Sequence, residues 1–374
     1  MKLSLRLSTP FAKLMLIYVF WLAAGVLSAS LFEVYFFNLG LSIQDIFLTG
    51  LFWFVSAPIM IPFFKRLDVR PFMLFGILFS LFAVVLLYLF PRPETAFAFR
   101  FMISIPVFFF WVPFNTIYYE FKKENHALLS AIYYSTVPAL ALVLPVFGGF
   151  LAEAFGYSII YLISIGLYVA TFIFAYMFLE KREYKYDFIN CLKSISGLRS
   201  LIFLEGFAAS IMVAVTLDIV LLLYVDKPFG FGSFLSIATV FAIIASFVTA
   251  KISDKLKHRR SFIILVTICF GLSAIFASQA PDLSTFFLAF GIINFFKTIF
   301  FTMPFALIVD NSKSLVNTMV GREFMLGVGR TMGVVVGYII LINSNIQIVL
   351  LFHGVVLLLY VLVFENRKGK LKRI

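Results

Sequence analysis

Long apolar runs follow one another from Phe11 almost to the end of the chain, separated by short polar segments. A helix needs about 20 apolar residues to cross the hydrocarbon core of a bilayer. Twelve runs meet that length: 11–37, 43–64, 71–90, 96–119, 127–152, 156–179, 200–225, 231–250, 261–279, 283–309, 316–342 and 346–364. The runs are apolar all round instead of alternating, which predicts membrane helices and not a β-barrel. NLGLSIQD, PRPE, KKENH, AEAFGY, VDKPFGFGS, SQAPDL and NSNIQ are among the connections. In the first of these, Ser42 and Asp45 follow Gly40 and form a capping box for the second helix. The expected fold is an all-α membrane protein of twelve transmembrane helices.

Composition agrees with that pattern. Of 374 residues, 63% are hydrophobic and 13% charged, too few polar groups to cover a soluble domain of this length. The net charge of +12 would suggest nucleic acid on a soluble protein. Here the basic residues sit in short connections, so no nucleic-acid partner is expected. The N-terminal tail, the even-numbered connections and the C-terminal tail hold 24 of the 30 Lys and Arg residues. By the positive-inside rule both termini are expected in the cytoplasm, in a multi-pass protein of the cell (plasma) membrane. Two cysteines, Cys191 and Cys269, make neither a disulfide framework nor a metal site.

The charge is unevenly spread. KISDKLKHRR, 251 to 260, is the densest stretch, and it has a weaker echo in FKRLDVRPF, 64 to 72. Aligning Lys65 with Asp254 gives an offset of 189, and aligning Pro113 of VPFNTIYYE with Pro304 of MPFALIVDN gives 191. Two matches near one offset indicate six spans duplicated. Parallel halves of this kind surround a midplane site in transporters. The expected organisation is a first six-helix bundle over 1–180, a cytoplasmic linker over 181–199 and a second bundle over 200–374. In the linker, Phe188, Cys191, Leu192, Ile195 and Leu198 follow helical spacing, so it reads either as an interfacial helix or as a solvated connection.

With these residues in view, the chain resembles the major facilitator superfamily over nearly its whole length. Ala250, Asp254, Lys255, Lys257, Arg259 and Arg260 occupy the family's loop motif, G-x-x-x-D-[RK]-x-G-[RK]-[RK], with the Asp and the basic residues kept and both glycines lost. In the first half, Lys65, Arg66 and Arg70 occupy the corresponding loop, with Lys65 at the Asp position and Asp68 at a Gly position. The resemblance implies a cytoplasmic gate at these loops. LPVFGGFLAEAFGY is similar to the fifth-helix motif G-P-x-x-G-G of the superfamily's antiporters: Pro145, Gly148 and Gly149 match, and Leu144 replaces the leading Gly. Arg100 falls near the family's fourth-helix Arg. GREFMLGVGRTMG, 321 to 333, is similar to an R-E…G-R pattern in the eleventh helix of some members.

A charge inside a span costs at least about 2.5–3.5 kcal/mol near the centre and so needs a reason. Lys297 and Arg330 fall near the middles of spans ten and eleven, with Asn294 one turn before Lys297. These three are the candidate substrate ligands of a central cavity. Glu33, Asp218 and Glu205 are the candidate proton-coupling carboxylates; the offset from Glu33 to Asp218 is 185. Arg322 and Glu323 are expected at an inner latch. Gly329, Gly333 and Gly337 make a G-x-x-x-G-x-x-x-G face suited to close helix packing. Trp111, Tyr118, Tyr119, Tyr133 and Tyr134 are possible pocket aromatics, and His353 is expected to be packed.

No G-x-x-x-x-G-K-[ST] loop and no H-E-x-x-H motif occurs, so neither an ATP-driven machine nor a zinc hydrolase is expected. No cofactor, no metal and no enzymatic activity are anticipated. Three functional classes stay open: a proton-coupled exporter of small amphipathic compounds working by alternating access, a carrier of organic anions or metabolites, and a transporter-like sensor or scaffold. The expected partners are a small-molecule substrate, protons and the lipid bilayer, with the protein a monomer.

Overall fold

The computed structural model describes residues 9–121, 126–253, 259–310 and 312–366. Twelve helices in it are long and apolar enough to cross a membrane. They are numbered here in chain order as spans one to twelve: Pro10–Asn38, Ile43–Phe63, Val69–Leu89, Thr95–Glu120, Ser135–Phe155, Tyr157–Phe178, Arg199–Leu222, Pro228–Ser246, Ser261–Ser278, Leu283–Thr302, Leu315–Asn343 and Ile346–Glu365. Twelve crossings bring the chain back to the side from which it started. That side is called the terminal side below, and the other the far side.

Local chemistry sets several helix starts. The Thr9 hydroxyl accepts from the amide of Ala12, and Pro10 takes the first helical position. Ser42 accepts from the amide of Asp45 and donates to its carboxylate, the expected start of span two. Asn345 accepts from the amide of Ile348 at 3.0 Å to start span twelve. Gly156, at φ +81°, makes the sharp turn between spans five and six that a side chain would strain.

Spans one to six pack on one another, chiefly one on six and three on four and six. Spans seven to twelve do the same, chiefly nine on ten and twelve, and seven on eleven and twelve. Contacts between the two sets run through span five with eight and ten, and span two with eleven. Glycine allows the closest of these approaches. A Cβ on Gly149 in span five would strike the carbonyl oxygen of Pro228, and one on Gly232 in span eight would strike that of Pro145. Pro145 and Gly149, motif residues of span five, therefore lie at the seam between the halves, while Gly148 packs on Leu27 and Leu31 of span one. Gly329 and Gly333 do the same work within the second half, lying over the carbonyls of Phe203 and Phe207.

The connection after span six is tied to both halves by a strand and a short helix. Its strand β2 (Glu183–Lys185) pairs antiparallel with β1 (Arg66–Asp68), with Leu67 opposite Tyr184. The Tyr184 hydroxyl donates to Glu120 Oε2 at 2.6 Å. Burial and that carboxylate push the phenol up to about 12. A short helix, Phe188–Ser194, then packs on span eleven, where Gly321 makes room for the Cys191 carbonyl. Burial pushes the Cys191 thiol up to about 12, so it stays neutral at physiological pH. Tyr186, Cys191, Ile195 and Leu198 of the segment are buried against protein, while Ile189 is exposed.

Gly329→Leu places a side chain where the Phe203 carbonyl lies and is expected to lower the thermal midpoint in detergent. Overpacking of this kind costs about 1–3 kcal/mol or more. Gly166, with nothing within 4 Å of an added Cβ, supplies the control. Gly166→Ala should stay within about 1 kcal/mol of the parent, on the stabilising side.

Candidate functional site

Two cavities lie in the middle of the bundle, one above the other along the membrane normal. The larger, of about 440 Å³, sits towards the far side and is called the distal chamber. Its wall includes Trp21, Trp53, Trp111, Asp218, Asn294 and Lys297. The chain has three tryptophans, and all three line this space. The proximal chamber, of about 340 Å³, lies towards the terminal side, with Asn115, Tyr133, Glu205, Arg322, Glu323 and Arg330 in its wall. Trp53, Val107, Trp111, Val213 and Ala214 line both, and so form the boundary between them.

That boundary coincides with an irregularity of the backbone. Span four widens into a π-helical turn at Val107–Trp111, and span seven into two, at Glu205–Ser210 and Met212–Thr216. Such turns are rare and concentrate at functional positions. Four of the five boundary residues lie in them.

Among the described residues, eight charged side chains occupy the interior, in two groups of four. In the distal group, Arg100 Nη2 donates to Glu33 Oε1. The guanidinium is sandwiched between the rings of Phe32 and Trp53, 3.6 and 4.1 Å from their centroids. Glu33 and Arg100 are both about 2% exposed, and neither lines a chamber. Asp218 and Lys297 complete the group and do line the distal chamber. Lys297 makes no ion pair within 4.0 Å among the described residues; Asp218 is the charge that acts on it. Asn294 donates to the carbonyl of Phe290 at 2.9 Å and keeps its place beside Lys297.

The distal group follows the sequence repeat. Spans one and four supply Glu33 and Arg100; their counterparts, spans seven and ten, supply Asp218 and Lys297. The offsets are 185 for the acids and 197 for the bases, against 191 for Pro113 and Pro304. Spans one and four run in opposite directions, so both departures point the same way. Each second-half residue sits six positions nearer the terminal side, a shift of about 9 Å at 1.5 Å per residue. The two acid–base pairs are thus staggered in depth: the first is sealed and the second opens on the chamber.

In the proximal group, Arg322 donates to Glu205 at 2.6 Å and to Glu323 at 2.8 Å. Arg330 Nη1 lies 4.0 Å from Glu323 Oε2. The Arg322 guanidinium also lies 4.4 Å from the Phe305 ring centroid. Among the described residues two acids and two bases meet here, as in the distal group.

Several expectations change. Arg330 was expected beside Lys297 and Asn294; it lines the other chamber. Arg322 and Glu323, expected at an inner latch, are buried in the proximal wall with Glu205. Glu33 is bonded to Arg100 and has no chamber surface. In the first loop motif, Arg66 lies in β1, 3.4 Å from Asp68. The Lys65 carbonyl accepts from Tyr186, and Arg70 donates to the Tyr176 carbonyl at 2.6 Å. The Lys65–Tyr186 bond ties this loop to the connection, and Arg70 ties span three to span six. Asp254 and Lys255 lie outside the described residues, as do the side chains of Arg259, Arg260 and Tyr134. Trp111 and Tyr133 line chambers. Tyr118 instead donates to the Leu129 carbonyl at 2.7 Å, and Tyr119 packs on Phe305. His353 is buried, 3.4 Å from the Thr216 hydroxyl. Trp21, Trp53 and Asn115 were not foreseen. Trp is the rarest aromatic here, 3 residues against 51 Phe, and that contrast was the available signal.

The model of the major facilitator superfamily matches residues 11–321, with a separate match over 200–373. The chain belongs to this superfamily. Its fold and interior therefore belong to a family of membrane carriers that bind small molecules and often use protons. Solved structures of similar fold include the human organic anion transporter MFSD10, at TM-score 0.70 and 12% identity, covering 95% of this chain and 98% of that one. The fucose–proton symporter of E. coli matches at TM-score 0.67 and 14% identity, covering 96% and 98%. A POT family transporter matches at TM-score 0.73 and 14% identity, covering 97% and 96%. No curated protein matches the chain by sequence.

The sealed pair gives a stability prediction. Arg100→Met strands a buried carboxylate and is expected to destabilise by about 3–5 kcal/mol. Adding Glu33→Leu removes the stranded charge and should recover most of that loss. Thermal unfolding of the two variants in detergent, read as a pair, checks this.

Proposed function

We propose that this superfamily member is a secondary carrier of small amphipathic organic anions, working by alternating access and coupled to protons at Asp218. One observation carries the reading: the Lys297 ammonium lines a large, aromatic-walled chamber with no carboxylate within 4.0 Å among the described residues. A cationic substrate would meet an ammonium there whose balancing carboxylate, Asp218, is not in contact with it. An anion meets a partner, and the tryptophan rings supply apolar surface for the rest of it. Among the classes open from sequence, this favours the organic-anion carrier over the exporter of amphipaths at large.

Coupling follows from charge balance. With Asp218 ionised, the four distal charges sum to zero and the chamber is self-compensated. A proton on Asp218 leaves one positive charge in excess. An anion bound at Lys297 restores neutrality, so proton and anion occupy the chamber together. Unbalanced charge in a low-dielectric interior is what each of these states avoids. Glu33 and Arg100 hold the wall in place and exchange nothing with the chamber in this reading. The terminal side is the cytoplasm, because the basic residues collect there.

The test is uptake of radiolabelled indole-3-acetate into proteoliposomes under an imposed pH gradient. Lys297→Ala is expected to reduce uptake about tenfold or more, the loss of a charge-assisted contact. Asp218→Asn should leave counterflow of the anion but abolish its acceleration by the gradient. Full gradient response in Asp218→Asn would remove that carboxylate from coupling. Unchanged uptake in Lys297→Ala would end the anion reading.

A further inference from the structure

The distal chamber has a second polar wall that the coupling mechanism does not use. Asp218, Asn294 and Lys297 belong to the second half of the chain. The first half contributes Trp21 and Ser28 from span one, Ser80 from span three and Tyr168 from span six, none of them charged. These four are joined to one another. The Trp21 indole N–H donates to Ser80 Oγ at 3.3 Å, and the Tyr168 hydroxyl interacts with those of Ser28 and Ser80. Ser80 lies eleven residues from the terminal-side end of its helix at Val69, Tyr168 ten from Phe178, and Lys297 thirteen from Asp310. Cluster and ammonium therefore stand within about 5 Å of one another in helix length, on walls supplied by different halves.

The cluster has a direction. The Ser28 hydroxyl donates to the Ala24 carbonyl at 2.8 Å, and that of Ser80 to the Gly76 carbonyl at 3.2 Å. Both serine protons are committed to their own helices, so the serine oxygens meet Tyr168 as acceptors. The Tyr168 proton goes to them, and its oxygen keeps a lone pair to accept with. Gly25, which also lines the chamber, leaves that oxygen uncovered. Outside its own helical turn, the one atom of the described residues within 4 Å of where a Cβ on Gly25 would stand is the Tyr168 hydroxyl, at 3.4 Å.

We infer that this cluster is a neutral recognition pole for the substrate, in which Tyr168 accepts from an uncharged hydroxyl or N–H remote from the carboxylate. The inference rests on the anion-carrier reading for the charged end and specifies the other end of the same cargo. An ammonium is disfavoured at this pole, because no acid stands on its wall among the described residues. Trp53 and Trp111 supply apolar surface for the body of the molecule. A two-ended ligand touches both halves at once, whereas a simple anion touches one.

The probes are phenylacetate and phenylpropionate, two lengths of plain acid, and their para-hydroxylated counterparts. Equilibrium binding of each to the purified full-length protein in lipid nanodiscs gives an affinity ratio, hydroxylated over plain. In the parent at least one hydroxylated acid is expected to bind about three- to tenfold more tightly than its plain partner, the gain of one neutral hydrogen bond. Tyr168→Phe removes the accepting oxygen and should bring that ratio to about one. Gly25→Ala leaves the cluster intact but covers the same oxygen at ordinary contact distance, and should lower the ratio too. Lys297→Gln reads the charged end: it should weaken all four acids about tenfold or more and leave the ratio as it was. A ratio of about one for both lengths in the parent overturns the pole, as does a preference that survives both Tyr168→Phe and Gly25→Ala. Either result leaves the anion-carrier reading standing if Lys297→Gln still weakens binding. A ratio lost in Tyr168→Phe beside full affinity in Lys297→Gln supports the pole and overturns the role of Lys297. No binding of any of the four acids by the parent overturns both.

Discussion

A guanidinium buried within a membrane span must be neutralised where it stands, and Arg100, near the far-side end of span four, shows how that requirement organises this protein. It is held by Glu33 from another span and covered by two aromatic faces. Spans one and four are thereby fixed against each other at one depth. The same requirement places Asp218 opposite Lys297 in spans seven and ten, and two glutamates around Arg322 and Arg330 in spans seven and eleven. Among the described residues each group pairs two acids with two bases. Charge that must be matched locally sets the relative heights of the helices more firmly than apolar packing between Phe and Leu side chains, which tolerates sliding.

Local neutrality also separates structural charge from working charge. Glu33 and Arg100 are bonded directly and shielded, so altering either leaves a stranded ion. Asp218 and Lys297 are neighbours by field and not by contact, and both touch the chamber. In the proposed mechanism their balance is exchanged for that of a proton and a bound anion, without breaking a hydrogen bond of the scaffold. A six-position stagger of one half against the other, small beside the length of a span, is enough to turn one member of a duplicated pair into a brace and the other into a site.

The backbone supplies the remaining freedom. Glycines at Gly149 and Gly232 bring spans five and eight together at the seam, and those at Gly329 and Gly333 lock eleven onto seven. Close packing there leaves rigid bodies on either side. The irregular turns of spans four and seven lie where the two chambers meet. Rigid contacts at the seam and widened turns at the centre divide the molecule into parts that hold shape and parts that change it.

Hydropathy alone determined the membrane class, the twelve spans and most of their limits, because the bilayer sets one length and one polarity that every crossing must meet. The repeat was legible from two short matches, and the superfamily from loop and fifth-helix residues. The intramembrane charges were visible individually, since each is conspicuous in an apolar run. Their partnerships were not. Arg330 falls as near the middle of its span as Lys297 does, and only the packing of eleven against seven puts it in a different chamber. Glu33 read as a chamber carboxylate until the fold set Arg100 beside it. The connection at 181–199 gave helical spacing but no sign of β2, because a three-residue strand exists only through its partner, 117 positions earlier at Arg66–Asp68. Sequence records which side chains are costly to bury; which of them offset one another depends on distances across the bundle, and those are set by tertiary structure.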